Sequence, residues 1–446
     1  MRTTGLKMLL GICFAAALAL TRSTTAQTPI DPADFDGSGT VDFGDFLTFA
    51  AGFGTGSGEA GYDAALDFDA SGQVDFADFL VFAASFGDSD GEPSTTFVYI
   101  ADTTAGEVKA FDRSNNFQDA SRRLVASFPQ DVFFSSSQQR FYVSALNSFY
   151  AFNPDGTPIY TIPLTGESDL GFVVSRGGTK MAVSPNQANA YVSELFGPVI
   201  EIIDLNAGQS EGFIDVAQNP AGLVLNAAGT RLFVSHGGAN SDPAIAPLTV
   251  IDTQSRTVID TLSVGSNGVN RLAINPIDGT LYTNNAIGGT LVAIDPVSGD
   301  ISQSVDVSTA SDLSTQILDI GVAPDGQFVY YTVSRISSTL DVSGIPTIGF
   351  VGGLGILDAN TFEQVDEIVV GEITATLGIS PDGSTAYISG SDNLTSGPLT
   401  IKIFIIDLTT RQTAGTLQGF DTPSDISFSA GKSAHDQTAW PSIIVF

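Results

Sequence analysis

From Phe97 onward the chain is built of short runs in which apolar and polar residues alternate, each closed by glycine, proline or aspartate. Alternation of this kind predicts β-strands with buried faces. The stretch from Thr376 shows the unit: TLGIS, a Pro-Asp-Gly turn, TAYISG, a loop, then LTIKIFIID ending at Asp407. Its middle run recurs, giving seven copies: FVYIAD at Phe97, RFYVSAL at Arg140, NAYVSEL at Asn189, RLFVSHG at Arg231, TLYTNNA at Thr280, FVYYTVS at Phe328 and TAYISGS at Thr385. The following run closes on Asp112, Asn153, Asp204, Asp252, Asp295, Asp358 and Asp407 in turn. An acid or amide at a strand end predicts a side-chain-capped turn rather than chemistry.

The run before each middle copy is DVFFSS at Asp131, KMAVSP at Lys180, GLVLNA at Gly222, RLAINP at Arg271, DIGVAP at Asp319, TLGISP at Thr376 and DISFSA at Asp425. Its phase predicts the topology. The middle copy at Phe97 has no such run before it, and the run at Asp425 has no middle copy after it. Strand repeats of about 40 to 50 residues predict a propeller, and the last run then pairs into the first blade and closes the ring. Fourth strands are supplied by segments such as TVIDTLSVG at Thr257 and EQVDEIVVG at Glu363. The predicted fold is mainly β: a seven-bladed β-propeller of four-stranded blades closed by a C-terminal strand, preceded by a small helical domain with a duplicated loop.

The repeats from Phe97 to Lys432 resemble the YVTN family of propellers, whose units hold an "sPDG…vYVtN" core and then a strand ending "vID"; TLYTNN at Thr280 and SPDGSTAYIS at Ser380 lie nearest to it. The resemblance implies seven blades and leaves the activity open.

Nearer the N-terminus, DFDGSGTVDFGDFLTFAAGFG from Asp34 is repeated as DFDASGQVDFADFLVFAASFG from Asp67. Oxygen-bearing side chains fall at loop positions 1, 3, 5, 9 and 12, with glycine at 6: Asp34, Asp36, Ser38, Asp42, Asp45 and Gly39, then Asp67, Asp69, Ser71, Asp75, Asp78 and Gly72. Thr40 and Gln73 at position 7 would offer backbone carbonyls. A hard cation takes six to eight oxygens, and a loop turning at glycine can wrap alternate residues around one calcium. The alternative is a pair of metal-free turns, in which crowded carboxylates repel. Phe46, Phe49, Ala50, Phe53 and Phe79, Phe82, Ala83, Phe86 predict a helix after each loop, with Asp42 and Asp75 as caps, and Val41 and Val74 are expected to pair the two loops.

The segment from Asp31 to Gly87 resembles the dockerin type I module, which implies two calcium ions and a cohesin-like partner. It departs from that pattern at Ser38 and Ser71, and carries Phe43-Gly44 and Phe76-Ala77 where cohesin-binding members often have Ser-Thr pairs. A calcium-stabilised spacer or surface-attachment module is the companion reading.

The N-terminal residues Arg2 and Lys7, the apolar run Met8 to Leu20 and Thr24-Thr25-Ala26 predict a secretory signal over 1–26, too short for a stable span. Its removal takes away Cys13, the only cysteine. The expected organisation is then a calcium-loop module over 27–88, a polar linker over 89–96, the propeller over 97–432 and a tail over 433–446 with the only tryptophan, Trp440. A secreted, periplasmic or cell-surface location follows. With 49 Asp plus Glu against 17 Lys plus Arg, nucleic acid and anionic membrane are poor partners.

Chemistry is sparse. Only His236 and His435 occur, and His236, before Gly237-Gly238, reads as an exposed loop residue. No GxSxG, Walker or Rossmann motif has a fitting context. If the first runs align, Asp131, Lys180, Arg271, Asp319, Thr376 and Asp425, with Gly222, open the innermost strands near one mouth of the channel. That rim is a candidate site for a polar ligand or ion; the alternative is hydrated or mutually paired charges. Two functions remain: a binding scaffold for a protein or polysaccharide at the cell surface, or a hydrolase or lyase of the lactonase type with a carboxylate-held channel metal.

Overall fold

The computed structural model describes the chain except for residues 1–32, 34, 36–42, 59–60, 69–70, 77, 80–81, 83–96, 114–117, 136–137, 168–172, 176–177, 195–196, 238–247, 263–268, 286–287, 341–345, 396–397 and 429–446. The signal segment, the linker, the tail, and Asp34, Asp36, Ser38, Thr40, Asp42 and Asp69 therefore lie outside the described residues. Contacts divide the chain into two compact units, 1–93 and 94–446.

In the second unit seven four-stranded antiparallel sheets form the blades, and a two-stranded hairpin, Thr165–Glu167 with Val173–Ser175, is added between blades 2 and 3. The innermost strands of blades 1 to 7 are Pro423–Phe428, Pro129–Ser135, Gly178–Val183, Pro220–Leu225, Val269–Ile274, Asp312–Val322 and Ile373–Ile379. Each touches the next, and the last touches the first, so the ring is closed. Pro423–Phe428 pairs antiparallel with Phe97–Asp102, from Val98 opposite Phe428 to Asp102 opposite Pro423. The closing strand is thus the one the repeat phase predicts.

A clasp holds that strand. The fully buried Asp102 carboxylate accepts the Asp421 N–H at 3.0 Å and the Thr422 N–H at 2.8 Å, and Lys109 Nζ lies 3.0 Å from it. Lys109 also donates to the Gly419 carbonyl at 2.6 Å and covers the Phe420 ring.

The alternating pattern buries both faces of a blade, so each blade packs on its neighbours. Middle-strand aromatics such as Tyr142, Phe233, Tyr282 and Tyr387 are buried, in separate clusters at the blade interfaces. Each such side chain contributes about 1.5–3 kcal/mol by leaving water. Blade 6 is longer than its siblings, with strands Phe328–Leu340 and Pro346–Asp358 of 13 residues each. Gly355 there lies against the Tyr331 ring, which an added Cβ would strike, so no side chain fits.

The turns after the third strands follow one rule. Asp204, Asp252, Asp295, Asp358 and Asp407 each accept backbone N–H groups two or three residues on, for example Val297 at 2.7 Å and Ser298 at 3.0 Å on Asp295. These acids are turn caps.

In the first unit a helix spans Phe43–Gly52, with Asp45 in its first turn. Phe76, Asp78, Phe79 and Phe82 are helical after the second loop. Phe49, Leu66, Val74 and Phe82 form the core, with the Phe49 and Phe82 rings 5.2 Å apart.

Candidate functional site

In the second of the two repeated loops Asp67, at position 1, accepts the Ser71 N–H at 3.0 Å and the Gly72 N–H at 2.8 Å, and the Tyr62 hydroxyl donates to it at 2.7 Å. Gly72 has φ +86°, the left-handed conformation that position 6 needs. Asp78, at position 12, accepts the Phe68 N–H at 2.7 Å and the Asp75 N–H at 2.8 Å. Asp75 thus has its own N–H capped by the acid three residues on, as the predicted capping arrangement requires. Ser71 Oγ donates to the Gln73 carbonyl at 3.2 Å. The first loop repeats the pattern where it is described: Asp45 accepts the Phe35 N–H at 2.7 Å.

Asp45 and Asp78 are fully buried and Asp67 is nearly so. Between Gln27 and Pro93 the sequence has no lysine, arginine or histidine, so no side chain of the segment can neutralise them. Burying a carboxylate costs several kcal/mol, which hydrogen bonds offset in part. An all-oxygen donor set in a segment without cationic side chains suits a hard cation. Among the described residues no group of three or more acids, histidines or cysteines stands close enough to hold a metal; Asp69 is outside them. The expected pairing of Val74 with Val41 lies outside the described residues, since Val41 is not among them. Val74 N–H donates to the Thr55 carbonyl at 2.9 Å and its carbonyl accepts the Gly54 N–H at 2.8 Å. The turn after the helix thus pairs with Val74.

The candidate rim of the propeller lies inside the protein. Asp131, Lys180, Arg271, Asp319, Thr376 and Asp425 are between 0 and 7% exposed. The innermost strands begin before these residues, and a register shift falls next to or across them, as at Pro129/Asp131, Gly178/Met181 and Val269/Leu272. A bulge releases N–H groups from the ladder, and side chains replace the lost partners. The middle strand takes one: Ser193 accepts from Lys180 at 3.1 Å, Ser235 from Gly222 at 2.8 Å, Asn284 from Arg271 at 3.1 Å and Ser389 from Thr376 at 2.9 Å. The preceding blade takes the next: Asp425 accepts from Val132 at 3.0 Å, Asp131 from Met181 at 2.7 Å and Asp319 from Leu377 at 2.9 Å.

These acids therefore stitch blade to blade. Their remaining oxygens meet buried cations: Lys180 Nζ lies 3.5 Å from Asp131 and 3.7 Å from Asp425, and Arg271 Nε lies 3.6 Å from Asp319. Thr376 donates to the Pro423 carbonyl at 3.3 Å. Burial and the nearby Asp425 hold the Asp131 carboxyl well above the usual range, with Lys180 opposing. Burial brings Arg271 down to about 10 against the pull of Asp319. The charges are mutually paired rather than hydrated. What sequence reasoning missed is the bulge, which moves a charged strand opening into the interior.

His236 also needs correction. It is 4% exposed, ends a middle strand opposite Pro220, and has Nδ1 3.1 Å from the Gln218 carbonyl and Nε2 2.8 Å from Thr249 Oγ1. A carbonyl only accepts, so Nδ1 carries the proton and Nε2 accepts from the threonine. Burial pulls the histidine below its ordinary value, which keeps it neutral.

A cavity of about 830 Å³ opens at the other end of the strands, among the turns of blades 3 to 6. Leu225 and Phe233 lie at its floor, and Pro185, Pro276, Pro296 and Pro324 in its walls. Sequence reading of single repeats gave no sign of it.

Neither a family profile nor a curated protein sequence matches the chain. Solved structures share its fold. Kuenenia stuttgartiensis hydrazine synthase is 17% identical over 71% of this chain and 96% of that one, with a TM-score of 0.54. A candidate 6-phosphogluconolactonase from Bacteroides fragilis is 16% identical over 76% of this chain and 99% of that one, also at 0.54. Likeness at this identity concerns the fold alone.

Proposed function

We propose that the chain is an exported binding protein: a YVTN-type propeller recognises a protein or polysaccharide at the cell surface, and a dockerin-like module with two calcium ions spaces or attaches it. The first ion would take Asp34, Asp36, Ser38, Thr40, Asp42 and Asp45, the second Asp67, Asp69, Ser71, Gln73, Asp75 and Asp78. The observation that carries this reading is the second loop, where Asp67 and Asp78 already gather four backbone N–H groups around a left-handed Gly72. Bound calcium would supply the positive charge that the segment lacks.

The lactonase reading has less support. It needs Asp131, Asp319 or Asp425 as metal ligands, and their oxygens face Lys180, Arg271 and backbone N–H groups. Thermal unfolding of the full chain in calcium and in EDTA tests the calcium reading. At about 100 times its dissociation constant, each ion should stabilise the first unit by about 2.7 kcal/mol. A transition that stands at the same temperature in both solutions would refute it.

A further inference from the structure

Repeats within one chain serve as an internal standard: where the siblings are polar at an exposed turn position, an apolar residue is something the fold does not need. The third residue of the turn between first and middle strands is Asn186, Asp325 or Asp382 in blades 3, 6 and 7, and Ala228 in blade 4. In blade 5 it is Ile277, 71% exposed. The second residue after the strand-closing acid or amide is Asp155, Asn206, Gln254, Asn360 or Thr409 elsewhere, but Val297 in blade 5, 78% exposed. One exposed apolar residue is ordinary. Both of these line the same 830 Å³ cavity, and across it blade 4 has Ala227-Ala228 where blades 3, 5, 6 and 7 carry proline and a larger residue.

Most cations of the second unit pair with a carboxylate; one that, like Arg140, makes no such pair among the described residues lines the cavity. Lys109, Arg113, Lys180, Arg256, Arg271, Arg335, Lys402 and Arg411 all lie within ion-pair distance of a carboxylate. Arg231 lines the cavity and makes no such pair among the described residues; its Nη1 reaches the Pro296 carbonyl at 3.5 Å, the limit of a hydrogen bond. Asp252, opposite it in the ladder, gives its carboxylate to Ser255 N–H at 2.7 Å and Oγ at 2.8 Å, and meets the Arg231 charge only at longer range, beyond ion-pair distance. Asp278 is exposed at the lining and caps Thr280 N–H at 2.9 Å.

The polar amides nearby are engaged. Asn226 accepts from Thr230 at 2.8 Å and Arg231 at 3.0 Å, and Asn275 accepts from Ile277 at 2.9 Å and donates to the Gly326 carbonyl at 3.0 Å. A polyhydroxylated ligand would find few partners there, whereas proline faces, Ile277 and Val297 suit a flat apolar body. The guanidinium fork suits a carboxylate or sulfonate. The strongly acidic surface disfavours ligands with several negative charges. A volume of this order is usual for a small-molecule pocket.

We infer that the cleft between blades 4 and 5 binds a small aromatic anion, an apolar ring system bearing one negative group set against Arg231. The inference goes beyond the proposed recognition of a protein or polysaccharide and adds a separate small-molecule site on the propeller. The test titrates 8-anilinonaphthalene-1-sulfonate and its uncharged counterpart N-phenyl-1-naphthylamine, by fluorescence, into the full chain. The comparison is with the Ile277→Asp/Val297→Asn double variant and with Arg231→Met. The double variant installs the residues that sibling blades carry at exposed positions, so its melting temperature should match the parent's. Both probes should bind it at least about tenfold more weakly, and Arg231→Met should lose about tenfold for the sulfonate alone. Equal binding to parent and double variant would overturn the site, and an unchanged sulfonate affinity in Arg231→Met would overturn the anion. Calcium dependence of the first unit is read separately, so it can stand or fall without the cleft.

Discussion

Asp319→Ala distinguishes a stitch between blades from a ligand site. In the parent, Asp319 is fully buried and accepts the Leu377 N–H at 2.9 Å and the Ile320 N–H at 3.1 Å, while Arg271 Nε lies 3.6 Å away. The alanine variant strands a buried guanidinium, which costs about 3–5 kcal/mol. An N–H left without an acceptor costs about 1–3 kcal/mol. Water entering the gap relieves both together, so the expected loss is about 4 kcal/mol rather than the sum. Asp319→Asn keeps an oxygen for Leu377 and should lose roughly half as much. Urea unfolding at pH 7 measures this as a lower midpoint at unchanged slope. An alanine variant within about 0.5 kcal/mol of the parent would refute the stitching role.

Asp102→Ala should loosen the ring where it closes, since the Asp421 and Thr422 N–H groups lose their acceptor and Lys109 its partner. Amide exchange in Pro423–Phe428 is expected to accelerate ahead of the other innermost strands; unchanged exchange there would contradict the clasp. Backbone N–H bonds hold the Asp252, Asp295, Asp358 and Asp407 carboxyls below the usual range. Their support is complete above the unfolded value, about 3.9, and is lost as pH falls through the folded values. Asp131 has the opposite sign: its support is present below about pH 4 and fades as pH rises through its raised value. Asp295→Asn keeps an oxygen able to cap the turn and should flatten the acid limb of the melting curve while barely moving the neutral value. An acid limb as steep as the parent's would count against it.

The blade count and the closing strand were legible because a two-residue period and turn acids repeat in phase; the strand at Asp425 without a successor is where Pro423–Phe428 pairs with Phe97–Asp102. Positions within the ring were harder to read. Pro129, Pro220 and Pro423 look like breakers before a strand, yet each is the first residue of one, and the neighbouring charges move inward with it. Asp131 and Asp319 then pair with the next blade, a contact between residues about fifty positions apart that no local pattern encodes. His236 was misread because two glycines follow it, although its own place is opposite Pro220. Ile277 and Val297 become informative only when blade 5 is set beside its siblings. In the first unit the loop spacing was read from carboxylates, while Tyr62, which donates to Asp67, stands outside the repeated stretch.

The central claim, a propeller carried with a two-ion calcium module, is tested most directly by calorimetric titration of the full chain with calcium. Two binding events are expected in the parent, and one in an Asp67→Asn/Asp78→Asn variant that leaves the first loop intact. No heat of binding at millimolar calcium, or an unchanged stoichiometry in the variant, would contradict it.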